Sequence, residues 1–417
     1  MTAMTVRLEL TQMVHGGLAL GRLESGRVAL VRGGLPGEVV EAELTERSGV
    51  LQGRVKDALS PSPDRVAASA HPGLDYGFIR YERQLDLKRE VVADALKRAA
   101  KLEADIPATV PAPAPWGYRH AVQPALTVGG LGYRRPESRE VVVLERDPVA
   151  HDSINAGWRL WAETWRDQGA PPGVLELAWR CNSRGDLVLC LIGERGPRHF
   201  QPLADALVEA GIRGVSHASY DARGRFRRGI RKLAGQRLLL QTYGSFEVSV
   251  SATSFAQPNP PAAGLLFGRL SEIAGGGEHA VDLYAGSGII AMHLARTFER
   301  VTAIELDIDS IKRGIQDVRR LEIGNVDFVR GDVRKLQDIP EADLITVDPP
   351  RAGLAKGVRQ TIAASKARRL IYVSCDAATW ARDVADLTAA GFGLELAQPY
   401  DFYPQTHHVE ILSLLTR

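Results

Sequence analysis

The sequence of 417 residues contains very little cysteine. Its three cysteines, Cys181, Cys190 and Cys375, are widely spaced, which excludes a disulfide-stabilised scaffold and suits a reducing compartment. Cys181 and Cys190 have no further cysteine or suitably spaced histidine near them, so the sequence argues against metal binding at either position. Any cysteine chemistry is therefore expected at Cys375.

Long hydrophobic runs and a strong net charge are also missing. No apolar run reaches the roughly 18 residues that a membrane-spanning helix needs, and the first residues lack the apolar core of a signal peptide. We therefore expect a soluble, cytoplasmic protein that is monomeric and does not contact membranes. The formal net charge is only +2, so any affinity for nucleic acid must come from local basic patches.

The most informative stretch is Val-Asp-Leu-Tyr-Ala-Gly-Ser-Gly-Ile-Ile-Ala at residues 281–291. It is typical of a buried strand that enters a tight glycine turn and then a helix. Gly286 and Gly288 permit positive φ and leave the backbone open to a ligand, and the helix start offers free N–H groups. The next predicted strand ends in Glu305, whose carboxylate can accept hydrogen bonds from both hydroxyls of a ribose. The pattern predicts a nucleoside cofactor without identifying it.

Two further apolar runs, residues 344–347 and 370–374, are expected to be buried parallel strands. The first is followed by Asp348 and the second by Cys375, which places both side chains where open α/β sheets bind ligands. A dehydrogenase has no evident use for a cysteine at this position, whereas a methyltransferase acting on carbon does.

The pattern of elements divides the chain into three units. Residues 1–62 contain five short predicted strands, as in a small OB-like β-barrel. Residues 63–250 are expected to form a central α+β domain, and residues 251–417 alternate strand and helix as a doubly wound α/β domain requires. A helix over residues 84–102 carries an apolar stripe and is expected to pack on the C-terminal domain.

The central unit has no catalytic motif, but two of its features need an interpretation. Trp158, Trp161 and Trp165 recur at helical spacing, which indicates core packing in preference to a base-stacking surface. Residues 223–232 hold five arginines around Phe226, and this run is a candidate contact for an RNA phosphate backbone. The alternative for such a run is an ordinary solvated surface.

Five motifs occur in an order that resembles the RNA 5-methyluridine methyltransferase family, the S-adenosylmethionine-dependent enzymes of tRNA and large-subunit rRNA. Residues 16–38 also resemble the TRAM domain, an RNA-binding barrel. The five motifs are Phe-Ala-Gln-Pro-Asn (255–259), Asp-Leu-Tyr-Ala-Gly-Ser-Gly (282–288), Asp-Pro-Pro-Arg (348–351), Val-Ser-Cys-Asp (373–376) and His-His-Val-Glu (407–410).

The resemblance implies a Rossmann-like methyltransferase domain that modifies carbon 5 of a uridine in rRNA or tRNA. Cys375 matches the family's nucleophile, which adds to carbon 6 of uracil, and Glu410 matches the base that removes the proton from carbon 5. The partner is expected to be RNA, with rRNA favoured over tRNA.

The resemblance also assigns five residues to the S-adenosylmethionine site: Gln257, Tyr284, Glu305, Asp332 and Asp348. Glu305 is expected to hold the ribose and Asp332 to lie beside the adenine. Asp348 is expected to lie near both the cofactor and the target base.

The sequence departs from the family at several positions. Some members bind an iron–sulfur cluster through four cysteines, but His71, Leu74 and Asp147 stand near those positions here, so no cluster and no other metal is expected. Asp376 and Ala377 replace the usual Asn-Pro after the nucleophile, and a carboxylate beside the thiol should raise its pKa.

Two alternatives remain open from the sequence. One is an RNA-binding or RNA-folding factor whose methyltransferase activity is weak or silent, which Asp376-Ala377 and the altered cofactor loop motivate. The other is a cytosine-C5 RNA methyltransferase with the same covalent chemistry, although its cysteine is expected in a different motif.

Overall fold

The computed structural model describes residues 4–165, 171–221, 226 and 229–417. They form a closed five-stranded barrel, a central sheet with a separate hairpin, and a seven-stranded sheet at the C-terminal end. The predicted succession of a small N-terminal barrel and α/β structure is thus confirmed. None of the helices in these ranges combines the length and the hydropathy needed to cross a bilayer.

The barrel consists of β1 (Met4–Val14), β2 (Leu18–Arg22), β3 (Val28–Arg32), β4 (Val39–Arg47) and β5 (Val50–Ser60). These strands close in the order β1-β2-β3-β5-β4. Leu8 and Leu10, two positions apart on β1, both point into the core, as the period of two in a strand requires. Glu38 is buried and accepts hydrogen bonds from Arg65 Nη2 at 2.6 Å and from the Ser62 backbone at 3.0 Å, which ties the barrel to the connector, residues 61–80.

A long helix, α1 (Tyr81–Ala99), follows the connector. It packs mainly on α8 (Ala377–Ala389) of the C-terminal part, with Leu87, Val92 and Leu96 buried. The helix ends before the predicted residue 102 because Lys101 adopts a φ of 55°, a left-handed value that cannot continue a helix.

The central part contains β6 (Ala121–Val122), β7 (Ala125–Thr127), β8 (Gly130–Arg134), β9 (Val141–Val143), α2 (Asp152–Thr164), β10 (Val174–Cys181), β11 (Leu187–Gly193), α3 (Gln201–Glu209), β12 (Gly214–Ser219), β13 (Ile230–Gly235), β14 (Leu239–Tyr243) and β15 (Phe246–Val250). One sheet has the order β13-β12-β11-β10-β7-β8-β9, with β6 also on β10, while β14 and β15 form the hairpin. Trp158 and Trp161 of α2 are buried in the core of the central sheet, and Trp165 packs against this core partly buried, so the predicted core packing is confirmed for the first two. Arg223, Arg225, Arg227 and Arg228 of the basic run lie outside the described residues.

The C-terminal part contains α4 (Pro260–Ala274), β16 (Gly277–Leu283), α5 (Ile289–Leu294), β17 (Phe298–Glu305), α6 (Ile308–Arg320), β18 (Val326–Arg330), β19 (Leu344–Val347), α7 (Lys356–Ala364), β20 (Arg369–Ser374), α8, β21 (Gly393–Tyr400) and β22 (Glu410–Thr416). Its sheet has the order β18-β17-β16-β19-β20-β22-β21. The first five strands are parallel, and β22 runs antiparallel between β20 and β21. Because the strand order reverses at β16, a crevice for ligands is expected between the carboxyl ends of β16 and β19.

Candidate active site

The glycine turn follows β16 directly at this reversal of strand order. Tyr284, Gly286 and Gly288 have φ values of 61°, 58° and 80°, so the turn is built from left-handed residues. A Cβ added at Gly286 would meet no described heavy atom within 4 Å, whereas one at Gly288 would lie 2.5 Å from the Phe328 ring. Gly288 is therefore required for packing, and Gly286 leaves open space above the backbone.

The ends of β17 and β18 carry two of the predicted cofactor residues. Glu305 Oε2 accepts a hydrogen bond from the Gly286 backbone at 2.9 Å, and Oε1 accepts from the two residues that follow it at 2.7 Å. Asp332 caps the short turn after β18 and pairs with Arg334, whose Nε and Nη2 atoms both lie at 2.9 Å. Both carboxylates thus stand on the sheet edge that carries the glycine turn.

Two carboxyl groups lie at the two strands that flank the crevice: Asp282 is fully buried, and Asp348 is partly buried. Asp282 on β16 accepts a hydrogen bond from Thr346 Oγ1 at 2.6 Å, and its other oxygen has no partner among the described residues. Burial raises the pKa of Asp282 to about 7, and the nearby Asp348 at the end of β19 adds to that effect. Burial likewise raises the pKa of Asp348 to about 7.

Cys375 and Glu410 meet at the ends of two antiparallel strands. Ser374 on β20 pairs with Ile411 on β22, so the next positions in register are Cys375 and Glu410. Residues directly opposite each other on antiparallel strands place their side chains on the same face. The structure therefore brings the predicted nucleophile and the predicted base together, although they are far apart in sequence.

The electrostatics of this pair favour the protonated forms. Burial raises the pKa of the Cys375 thiol to about 12, with further contributions from Glu410 and Asp348, while Arg351 acts in the opposite direction. Burial also raises the pKa of Glu410 well above its ordinary value, and Asp348 raises it further. A neutral thiol is a weak nucleophile, so this sulfur needs nearby positive charge or a base in order to ionise.

The pocket around Cys375 is built from both ends of the chain. Its lining includes His15 from the turn between β1 and β2, as well as Arg351 and His408. His15 Nε2 lies 3.2 Å from an Asp376 carboxylate oxygen. The remaining lining residues are Val14, Gly16, Tyr76, Val91, Asp376, Ala377, His407 and Val409.

Helix α1 fixes the loop that precedes Glu410. Lys88 Nζ lies 2.5 Å from Asp401 Oδ1, and both side chains are fully buried. Gln84 Nε2 donates to Gln405 Oε1 at 2.9 Å, and the Gln405 backbone donates back to Gln84 at 2.8 Å. The helix is therefore clamped to the loop between β21 and β22.

Gln257 lies in the loop between β15 and α4. Its carbonyl accepts a hydrogen bond from Tyr243 at 2.7 Å, and Asn259 in the same loop donates to the Phe402 carbonyl at 3.0 Å. This loop is thus anchored beside the segment between β21 and β22. The structure gives no described hydrogen bond to the Gln257 side chain, and its predicted role stays a prediction.

Two of the positions for which the sequence resemblance implies cluster cysteines, His71 and Asp147, lie close together in space. His71 Nε2 lies 3.9 Å from Asp147 Oδ1, and Asp147 accepts a hydrogen bond from Tyr133 at 2.7 Å. Leu74 packs against Tyr118 nearby. Across the described ranges, no group of three or more His, Cys, Asp or Glu side chains is arranged to hold a metal ion.

Sequence reasoning did not identify His15, Lys88 or Asp401 as parts of this site. A lone histidine before two glycines and a lysine inside an amphipathic helix give no local signal of their partners. Their significance becomes visible only when the barrel and α1 are docked on the C-terminal sheet.

Comparison with known proteins connects this geometry to one family. The model of the tRNA (uracil-5-)-methyltransferase family matches residues 242–417. An RNA methyltransferase of Thermosynechococcus vestitus is 30% identical over 99% of this chain and 98% of its own length. One from Gloeobacter violaceus is 29% identical over 99% of this chain and 96% of its own.

A solved structure shares the whole fold. The crystal structure of the Pyrococcus abyssi tRNA (uracil-54, C5)-methyltransferase, in complex with S-adenosyl-L-homocysteine, superposes with a TM-score of 0.79. The match covers 99% of this chain and 100% of that one, at 22% identity. At this identity the likeness establishes the fold alone.

Proposed function

We propose, from the premise that this chain belongs to the RNA (uracil-5-)-methyltransferase family, that it methylates carbon 5 of a specific uridine in rRNA or tRNA. The observation that carries the proposal is the placement of Cys375 opposite Glu410 at the strand ends beside the glycine turn. A cysteine and a base are the two groups that covalent methylation of a uracil carbon requires.

The residues present fit S-adenosylmethionine. The open space above Gly286, the Glu305 carboxylate beside it and the unpartnered oxygen of Asp282 support a nucleoside ligand at this edge. Gln257, Tyr284, Glu305, Asp332 and Asp348 would hold it, with Glu305 at the ribose and Asp332 near the adenine. When bound, S-adenosylmethionine supplies an electrophilic methyl group that a carbon nucleophile can accept.

Cys375 activates the target base. Carbon 5 of uracil is a weak nucleophile, so the Cys375 thiol first gives its proton to water and the thiolate then forms a bond to carbon 6. The π pair of the C5–C6 bond moves toward carbon 4 and its oxygen, which gives carbon 5 enolate character. Carbon 5 then becomes able to take a methyl group.

Glu410 completes the turnover. Once carbon 5 carries the methyl group, the carboxylate removes the remaining proton from that carbon, and the C–H pair re-forms the C5–C6 double bond. The sulfur leaves carbon 6 with the bonding pair as a thiolate. Burial of Glu410 beside Asp348 favours uptake of this proton.

The three predicted units suggest a division of labour. We assign residues 1–62 to an RNA-binding barrel of the TRAM type, residues 63–250 to a central domain, and residues 251–417 to methyl transfer. The barrel turn at the pocket supports this assignment because RNA held by the barrel would lie beside the sulfur. Contact of the basic run at residues 223–232 with RNA belongs to the same proposal.

The direct experiment is incubation of the protein with labelled S-adenosylmethionine and transcripts of large-subunit rRNA or tRNA, followed by mass spectrometry of the nucleosides. We expect 5-methyluridine in one of the two RNAs. Comparison of modification maps from cells with and without the protein then locates the nucleotide. Methylated cytidine, or RNA binding without any methylated nucleoside, would contradict the proposal.

A further inference from the structure

The barrel touches the residue that follows the proposed nucleophile. His15 Nε2 lies 3.2 Å from Asp376 Oδ2, and Asp376 is the immediate neighbour of Cys375. The same turn approaches the C-terminal part closely, because a Cβ at Gly17 would lie 2.9 Å from the Cβ of His407. The barrel is therefore seated directly on the pocket.

Both carboxylate oxygens of Asp376 have polar partners. Oδ1 accepts from the Thr379 backbone at 2.9 Å and caps α8, while Oδ2 faces His15. Although burial opposes it, the hydrogen bond from His15 holds the pKa of Asp376 below its ordinary range, so the carboxylate is charged. A negative charge beside a thiol works against thiolate formation.

We propose that His15 is a positioning residue for methyl transfer: its pairing with Asp376 docks the barrel beside Cys375 and balances the carboxylate that follows the nucleophile. This inference rests on the proposed function. It also accounts for an aspartate at a position where the sequence resemblance leads one to expect asparagine.

The charges around His15 define the pH range of this effect. Asp376 raises the pKa of His15 above 6.5 through a hydrogen bond that outweighs partial burial, and Arg351 acts against it. His407 and His408 line the same pocket, and Asp75 lies 2.5 Å from His407 Nδ1. His15 is therefore cationic below its raised pKa. As pH rises through that pKa, His15 loses its charge and no longer offsets the negative charge of Asp376.

The test uses the full-length protein with S-adenosylmethionine and transcripts of large-subunit rRNA and tRNA that contain 5-fluorouridine. Fluorine at carbon 5 cannot leave as a proton does, so the covalent adduct with Cys375 accumulates. The variants are His15→Gln and the double variant His15→Gln/Asp376→Asn, in which asparagine still caps α8. Lys97→Gln is the control, since it breaks an exposed ion pair between Lys97 of α1 and Glu103, outside the barrel.

We expect His15→Gln to slow adduct formation about tenfold at or below pH 6.5, and the ratio to wild type to approach one as pH rises. The double variant should return to within about twofold of wild type, because the two amide side chains can still hydrogen-bond across the contact and no carboxylate charge remains to be balanced. Lys97→Gln should match wild type, and all variants should bind S-adenosylmethionine equally.

Two results would overturn the inference while the proposed function survives. One is wild-type adduct formation by His15→Gln at every pH, and the other is a double variant as slow as the single one. If the wild-type protein forms no adduct with either RNA, the proposed covalent mechanism fails, and the role of His15 falls with it.

Discussion

Cys375→Ala is the substitution that addresses the proposed nucleophile. Without the sulfur no bond to carbon 6 forms, so methylation should fall by at least about 10³-fold, and trapping on 5-fluorouridine RNA should disappear. Affinity for S-adenosylmethionine, measured by calorimetry, should stay within about twofold because the thiol serves chemistry. Cys190→Ala, which changes a cysteine buried in the central sheet, is the matched control. Methylation by the Cys375 variant would refute the mechanism even within this family.

Glu410→Gln should have a different outcome at the same pair of strand ends. Addition of the sulfur can still occur, but the proton on carbon 5 has no acceptor and the sulfur cannot leave. A covalent complex with natural RNA should therefore accumulate, visible as a shifted band on a denaturing gel. Glu272→Gln, an exposed glutamate paired with Arg269 on α4, should behave as wild type. Normal turnover by the Glu410 variant would assign the base to another residue.

At the scale of elements, α1 contributes a buried ion pair to the stability of the fold in addition to its apolar stripe. Its Lys88 is paired with Asp401, 313 positions away, inside the protein. Lys88→Met would leave Asp401 buried and unpaired, so we expect a loss of about 3–5 kcal/mol in the free energy of unfolding. Urea titration followed by tryptophan fluorescence measures this loss.

The same helix offers the control for that experiment. Lys97 pairs with Glu103 at 2.7 Å on the solvent side, and Lys97→Met should leave the unfolding midpoint unchanged. Equal losses in the free energy of unfolding for the two lysine substitutions would mean that burial of the Lys88–Asp401 pair does not increase the cost of breaking it.

The barrel is joined to the connector by a buried carboxylate with a distinct pH dependence. Although burial opposes it, the hydrogen bond from Arg65 lowers the pKa of Glu38 below its ordinary value of 4.5. A carboxyl group whose pKa is lower in the folded state than in the unfolded state stabilises the fold at pH values above its unfolded-state pKa. This stabilisation is lost as pH falls through the folded-state pKa. Glu38→Gln should therefore cost about 1.5–3 kcal/mol at pH 7.

Thermal unfolding of wild type and Glu38→Gln across a pH series checks this prediction. The difference between the two proteins should shrink steadily below pH 4.5. A difference that stays constant into acid would show that the carboxylate charge is not what stabilises this junction.

At the scale of the whole molecule, the barrel and the C-terminal sheet share one hydrophobic core. Leu10 and Val31 of the barrel belong to the same cluster of buried side chains as Leu87 of α1 and Trp380 of α8. The central sheet has a core of its own around Trp179. The barrel is therefore expected to open together with the C-terminal part.

Binding of S-adenosylmethionine should consequently protect the barrel. At a ligand concentration of 100 times Kd, the most protected β1 amides should gain about 2.7 kcal/mol of protection against hydrogen exchange. Mass spectrometry of peptides from residues 4–14 measures this gain. Unchanged exchange in β1, together with slowed exchange in β16, would show that the barrel unfolds independently.

The sequence by itself determined the local features of the site. Glycines with positive φ after a buried strand and reactive side chains at strand ends are set by neighbouring residues, and parallel strands bring their carboxyl ends to one edge. For this reason the edge that carries Glu305, Asp348 and Cys375 could be predicted without coordinates. The chemical roles of these residues stay predictions.

The tertiary structure alone decided which distant groups became partners. The sequence contains His15 and Lys88 but does not reveal their partners. The path of the chain brings His15 to Asp376 and Lys88 to Asp401. The end of α1 at Ala99 likewise depends on the left-handed conformation of Lys101, which helix propensity does not encode. Ion pairing depends on distance and burial, and both quantities arise only when the barrel, the helix and the sheet pack together.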